Sequence, residues 1–432
     1  MNSFIFDKFI FDEDSLELSL YYQNQNPDIS FKEVIKFSKD NLVDYDRAKL
    51  NGALELLFLV AGTSYFKAFP TANIKFNSIN PTEEQMSFMA SIYRDGLSQF
   101  IYENNLSLDV IPFLDYYLKT YNAQNQQKSS HQLEVKDILA LESGGKDSLL
   151  TATLLKKKNI KFKPFNMPYG ENHPAILDQF DRSTSYADRK IDSRSLKIAS
   201  EKGGLNGHIP ITYITASIAI VDAILHGQNW VLLSIAHEGD EPHAKIGDLD
   251  VNHQWSKTWQ AEKLFSEYIY SYVAKDIVVG SPIRKYSELK VAELFVQYCW
   301  AEYSTSFSSC NNANYQQGAS NTKLKWCANC PKCANSYLLF APFVEPNDLN
   351  SVMGSDMIAD EKMEETFKGL LGIDGVMKPF ECVGEIDELR LAYHMAQKRW
   401  GDEISKLKFG VPESKFDYNE LYDYDKAFDI LL

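Results

Sequence analysis

Short alternations of aromatic and polar residues open the chain, in Phe4-Ile5-Phe6-Asp7-Lys8-Phe9-Ile10-Phe11 and Leu16-Glu17-Leu18-Ser19-Leu20-Tyr21-Tyr22. A period of two predicts β-strands of a small antiparallel sheet. The period then lengthens. Arg47 to Ala68 carries a continuous apolar face, and Pro81 to Tyr102 opens with Thr82-Glu83-Glu84, so both stretches read as helices. The run from Tyr121 to Ser130 is polar and aperiodic, as a linker would be. From Val135 onward strand-like runs (Ile138–Leu141, Phe162–Met167, Val231–Ile235, Ile277–Val279) alternate with helical segments such as Pro210 to Leu225. Such alternation implies a parallel sheet covered on both faces. The expected organisation is an α/β chain with an N-terminal α+β domain over 1–122, a linker at 123–134, a parallel-sheet domain over 135–345 and a helical C-terminal region over 346–432.

Within that frame the most informative stretch is Ser143-Gly144-Gly145-Lys146-Asp147-Ser148, between the apolar run Ile138–Leu141 and the helical Leu149-Leu150-Thr151-Ala152. Strand, glycine turn and helix start in that order make an anion site. The glycines allow close backbone approach, and the unpaired N–H groups of the helix start point at the ligand. Ser143 and Ser148 add hydroxyls, and Asp147 could hold a magnesium ion on phosphate oxygens. The Walker A spacing is absent. Read blandly, this is an ordinary glycine turn.

Six cysteines fall in the last third, and Cys310, Cys327, Cys330 and Cys333 lie within 24 residues. Two-residue gaps let a tight turn wrap a tetrahedral ion, so these four are candidate ligands of a structural zinc. An iron–sulfur cluster is the competing reading. Cys299, beside an apolar run, reads as core. The formal charge of −15 argues against general affinity for nucleic acid or anionic membranes. No secretory signal is visible at the start, and the apolar stretch around Ala53 to Gly62 is too short to span a bilayer, so a cytoplasmic protein is expected.

Two further segments fall where strand-to-helix loops would meet the glycine turn. They are Asn206-Gly207-His208-Ile209-Pro210 and His237-Glu238-Gly239-Asp240-Glu241-Pro242-His243. With His253 in Asn252-His253-Gln254-Trp255-Ser256-Lys257, they offer His208, His237, Glu238, Asp240 and His253 as acid–base candidates. Cys382, in Lys378-Pro379-Phe380-Glu381-Cys382-Val383-Gly384-Glu385, is a further one. Arg182, Arg189, Lys190 and Arg194 form a basic stretch, readable as an anion receiver or as a solvated helix face.

The glycine loop resembles the SGGxDS signature of the PP-loop (adenine nucleotide alpha hydrolase-like) ATP pyrophosphatases. With its distal cysteines the chain is similar to the 7-cyano-7-deazaguanine synthases. It looks more like the ATP-dependent UDP-N-acetylmuramoyl-L-alanyl-L-glutamate epimerases of peptidoglycan synthesis. Ala61-Gly62-Thr63-Ser64-Tyr65-Phe66-Lys67, the SGGKDS loop, Asn206–Pro210, Val251–Lys257, Trp326–Cys333 and Lys378–Glu385 carry that likeness over nearly the whole chain. One loop departs: Ile235-Ala236-His237-Glu238-Gly239-Asp240 stands where an Asn-Glu loop is expected. The resemblance implies ATP, Mg2+ and structural Zn2+. It implies a UDP-MurNAc-dipeptide substrate whose glutamate α-carboxylate is adenylated before its α-carbon is inverted, with a homodimer as a candidate assembly. Ser143, Gly144, Gly145, Lys146, Asp147 and Ser148 would hold ATP. Two other classes stay open at this point: a PP-loop ligase forming an amide or nitrile from an adenylated carboxylate, and a silent ATP-binding subunit.

Overall fold

The computed structural model describes residues 2–121, 134–168, 173–315, 322–401, 404 and 407–431. Apart from Glu134, the predicted linker lies outside them. Three antiparallel strands, β1 (Phe4–Asp12), β2 (Glu17–Asn24) and β3 (Ile29–Phe37), form the opening meander. Phe4 and Phe6 point inward at the start of β1. A register shift between Phe6 and Lys8 then moves the inward set to Phe9 and Phe11. One extra residue reverses the parity of a strand, which is how Phe4, Phe6, Phe9 and Phe11 can all serve a single face. The short β4 (Ile74–Phe76) pairs parallel to β1 at the sheet edge.

The remaining strands are β5 (Ile138–Leu141), β6 (Lys163–Asn166), β7 (Ser185–Lys190), β8 (Trp230–Leu232) and β11 (Val278–Gly280). A separate hairpin is made by β9 (Ala244–Ile246) and β10 (Leu249–Val251). The order β11-β8-β5-β6-β7-β3-β2-β1-β4 is one continuous sheet of nine strands. Its first five are mutually parallel. The seam to the meander is antiparallel, β3 against β7. Neither β3 nor β7 is among the strands the sequence pattern predicts.

The basic stretch explains the seam. Arg189 is on a strand, not a helix face, and its guanidinium bonds both carboxylate oxygens of Glu33 at 2.8 and 3.0 Å and Ser64 Oγ at 2.8 Å. Glu33 is completely buried. Removing one partner of such a pair costs about 3–5 kcal/mol, because the other charge stays behind unpaired. Arg182 forms a fork with Asp137 at 2.6 and 2.9 Å.

Helices cover both faces. The helix Arg47–Ala61, capped by Asp46, packs against Ile211–His226 on one side. It ends at Ala61, and after Gly62 a short helix, Thr63–Phe66, carries the predicted segment on almost to Ala68. At Gly62, whose backbone is itself helical, a β-carbon would meet the Phe6 ring at 2.6 Å, so the ring lies this close only because no side chain is there. Thr82 and Gln85 form a reciprocal cap for the helix Glu83–Arg94, the first part of the predicted Pro81–Tyr102 segment. On the opposite face Lys146–Lys157 packs against Glu288–Tyr298, and Pro331–Phe340, Glu364–Leu371 and Ile386–Trp400 add a helical layer. The tail departs from the expected run of helix. Residues 407–425 form none, and their tyrosines lie on lysines and a histidine of the body: Tyr418 with Lys290, Tyr424 with Lys285, Tyr422 on His237. Among the described residues no helix is long and apolar enough to cross a membrane.

Candidate functional site

Strand β5 sits between β8 and β6, although β6 and β7 precede β8 in the chain. Chain direction across the sheet therefore reverses at β5, and open α/β sheets bind ligands beyond the carboxyl ends of strands at such a point. The glycine loop leaves β5 there, into a cleft of about 380 Å³.

The loop is held from beneath by Glu142, which is 3 % exposed. Its Oε1 accepts the Gly144 N–H at 2.8 Å and the Ser148 hydroxyl. Burial pushes this carboxyl up to about 7, against the pull of those bonds. Gly144 has φ +77°, the left-handed region, and the helix Lys146–Lys157 begins at Gly145. Ser143, Gly145, Asp147 and Ser148 line the cleft. Lys146 does not. It turns inward, 3 % exposed, with Nζ 2.5 Å from Asp147 Oδ1, and Asp147 and Glu288 outweigh its burial to keep it protonated.

A second segment seals the loop. Ser308 N–H donates to Gly144 O at 3.1 Å, Lys146 N–H to Ser309 Oγ at 3.2 Å, and Tyr315 Oη to Ser143 O at 3.1 Å. Cys310 begins the cysteine group in the middle of that segment. Cys310 and Cys330 sulfurs lie 3.8 Å apart, Cys327 and Cys333 3.7 Å, and all four fall within 4.8 Å of one another. Zn–S bonds of about 2.3 Å in a tetrahedron require sulfur separations near 3.8 Å, so the four thiols fit one ion and leave no open position.

The opposite wall carries Lys257, Lys332 and Cys382. Burial works against the Cys382 thiolate, but Lys257, His253 and Lys332 more than offset it and lower the thiol to about 7. His253, Glu381 and Cys382 bring side-chain atoms within 4.8 Å of one another. Gln99 Nε2 donates to Glu103, which leaves its Oε1 to accept from His253 Nδ1 at 2.6 Å. That anchors the imidazole through Nδ1 and turns its Nε2 side toward Glu381 and Cys382. Lys257 is itself positioned: Nζ meets Glu238 Oε1 at 3.2 Å, and its carbonyl accepts from Arg284 at 2.7 Å. Arg284, fully buried, also bonds Ala236 O and Glu262, so it ties the two loops after β8 and β10 together.

The other candidates are distributed around this centre. Glu238 is buried beneath Lys257 and, despite that burial, is held ionised mainly by it; burial and Glu238 push neighbouring Glu288 up to about 7. The His208 ring lies 4.3 Å from that of His253, tilted against it. His237 and Asp240 stand outside the cleft lining, the imidazole flat against Tyr422 at 3.5 Å with Asp240 and Glu385 near its nitrogens. Sequence reasoning did not nominate Glu142, Lys257 or Lys332. Lys332 stands inside the cysteine motif and Lys257 inside a quoted stretch, but nothing local to either aims it at the glycine loop.

The strand-end cleft of this open α/β sheet thus brings a glycine turn, two lysines and the Cys382 thiol onto one surface. The model for the MurL N-terminal domain matches residues 1–279, and that for the MurL C-terminal domain matches residues 306–409. The chain belongs to the MurL family. A relative from Salinispora tropica is 30 % identical over 96 % of this chain and 90 % of its own length; one from Xanthomonas oryzae pv. oryzae is 29 % identical over 90 % and 85 %. Both carry the name UDP-N-acetyl-alpha-D-muramoyl-L-alanyl-L-glutamate epimerase.

Proposed function

We propose that the protein is an ATP-dependent epimerase that inverts the α-carbon of the terminal glutamate in UDP-MurNAc-L-Ala-L-Glu, releasing AMP and pyrophosphate. The relatives' names support the substrate and the stereochemical outcome. One observation carries the chemistry: the Cys382 thiol, with Lys257 and Lys332 on the same wall, opens into the cleft that the glycine loop also lines.

ATP would lay its phosphates on Ser143, Gly144, Gly145 and Ser148. Asp147 would hold magnesium, which when bound neutralises phosphate charge. Leu141, Phe165 and Met167 offer the base an apolar wall, and Asn166 Oδ1 and Ser234 Oγ lack partners among the described residues there. The glutamate α-carboxylate displaces pyrophosphate from the α-phosphorus and becomes an acyl adenylate. With its charge gone, the carbonyl can accept electrons from the α-carbon. Cys382 as thiolate takes the α-proton, oriented by His253, and Lys257 and Lys332 face the charge that spreads onto oxygen. Return of a proton to the other face and hydrolysis of the anhydride complete the inversion. Zinc on Cys310, Cys327, Cys330 and Cys333 would be structural.

In D2O with ATP and magnesium, the enzyme should place one deuterium on the glutamyl α-carbon and produce AMP, read by mass spectrometry. A folded, ATP-binding protein that takes up none would overturn the epimerase and point to amide-forming ligation. Gly144→Ala should weaken ATP binding about tenfold or more, since a side chain there opposes the left-handed backbone. Its β-carbon would also strike Leu324 and sit 2.8 Å from Ile176 Cγ2. Calorimetric titration with ATP checks this.

A further inference from the structure

Next to Cys382 lies a group of imidazoles that the reaction just described leaves without a task. The His208 ring lies tilted against His253 at 4.3 Å, and His243 stands 6.3 Å from His253 and 5.2 Å from the Phe380 ring. Lys67 reaches this face from the first part of the chain, donating from Nζ to Gly207 O at 3.0 Å.

The balance of charge and hydrogen bonding here is one-sided. Both ring nitrogens of His243, which is 9 % exposed, are buried without a side-chain partner, and the backbone of Glu381 and of Pro379 lies close to the ring. His208 has no hydrogen bond or ion pair among the described residues, and Lys67 has no carboxylate within 4.0 Å. Of the acids on this face, Glu241 is held by Lys378 at 2.7 Å, and Glu381 stands 3.9 Å from His253 Nε2 while accepting from Asn311 and its own neighbour's N–H. Burial, then His253 and Lys67, lowers His208 to about 3; burial, then Lys378 and His253, does the same to His243. Burial and Arg189 lower Lys67 to about 8. Donors crowded together with too little counter-charge resist protonation in this way, and an anion among them would relieve the strain of each.

We infer that Lys67, His208 and His243 receive the side-chain carboxylate of the substrate's terminal glutamate. The assignment rests on the epimerase reading for the identity of that substrate. His253 touches Cys382 on one side and His208 on the other, so an α-carbon presented to the thiol leaves its side chain running toward the imidazoles. A site of N–H donors and one ammonium group prefers a carboxylate to a carboxamide, whose NH2 would face donors. The face would thus select glutamate, while the glycine loop and Cys382 act on its α-carboxylate and α-proton.

The test compares dissociation constants for UDP-MurNAc-L-Ala-L-Glu and for UDP-MurNAc-L-Ala-L-Gln, in wild type and in Lys67→Met and His208→Gln. Wild type should favour the glutamate compound by about tenfold or more, well short of the roughly 10^4–10^5 that a fully committed polar site can impose on an analogue it cannot pair. Each variant should lose most of that preference by weakening the glutamate compound alone. Two variants guard against one of them failing to fold. Equal weakening of both compounds, or a preference that survives in both folded variants, overturns the inference. Deuterium uptake separates the two readings. A wild type that prefers the glutamate compound, loses that preference in the variants and exchanges no α-proton keeps the carboxylate site and removes the epimerase.

Discussion

Cys382→Ala is expected to reduce ATP-dependent deuterium incorporation about a thousandfold, within the range removed with a general base. AMP formation should persist, because adenylation and hydrolysis of the anhydride do not use the thiol. Cys382→Ser should fall between the two, its hydroxyl being a far weaker acid. The sign of the pH dependence follows from the direction of the thiol shift. Burial alone would raise it; Lys257, His253 and Lys332 reverse that and bring it to about 7. The reactive form is the thiolate, so exchange should fall about tenfold per pH unit below 7 and level off above it. Lys257→Met removes the largest of the lowering influences, so its acid limb should move upward, toward the ordinary thiol range. Parallel rates of deuterium uptake and AMP release across pH 5.5–9 test both parts. Loss of AMP formation together with exchange in a folded Cys382→Ala would mean that the thiol serves nucleotide binding, not proton transfer.

How much of this was legible beforehand depends on how local each signal is. The glycine turn, the cysteine spacing and the strands β1, β2, β5 and β6 are short-range patterns, and they read directly. The strand β7 did not, because Ser185-Tyr186-Ala187-Asp188-Arg189-Lys190 is polar along most of its length. Its reason for being a strand is Glu33, 156 residues away and fully buried. The same limit applies to the site. Lys257, Lys332 and Cys382 converge on one wall from three distant stretches, and periodicity carries no information about that. Lys146 is instructive in another way. The resemblance puts it on ATP; Asp147 beside it and the buried acids Glu288 and Glu238 beneath the loop hold it inward instead. The fate of a charged side chain in a loop is set by what lies under the loop.

Stripping zinc from the proposed four-cysteine site should weaken nucleotide binding, although none of the four cysteines lines the cleft. The path runs through Cys310. Its preceding residues Ser308 and Ser309 clamp Gly144 and Lys146, and Tyr315, five residues on, clamps Ser143. Asn311 lines the cleft and bonds Glu381 at 3.0 Å, so the same knuckle supports the Cys382 loop from behind. A structural zinc supplies roughly 10–16 kcal/mol of apparent binding energy, as much as the whole stability of an ordinary domain, about 5–15 kcal/mol. Without the ion, four thiols packed within 4.8 Å have no such restraint, and the segment that closes the phosphate loop is released. Treatment with a strong chelator, or Cys330→Ala, should therefore lower ATP affinity at least tenfold alongside loss of one bound metal per chain, measured by calorimetry and elemental analysis. Cys382→Ala should keep both. Metal-free protein that binds ATP with unchanged affinity would mean that the hydrogen bonds from Ser308, Lys146 and Tyr315 hold the loop by themselves, and that the cysteine knuckle stabilises only the helices behind it.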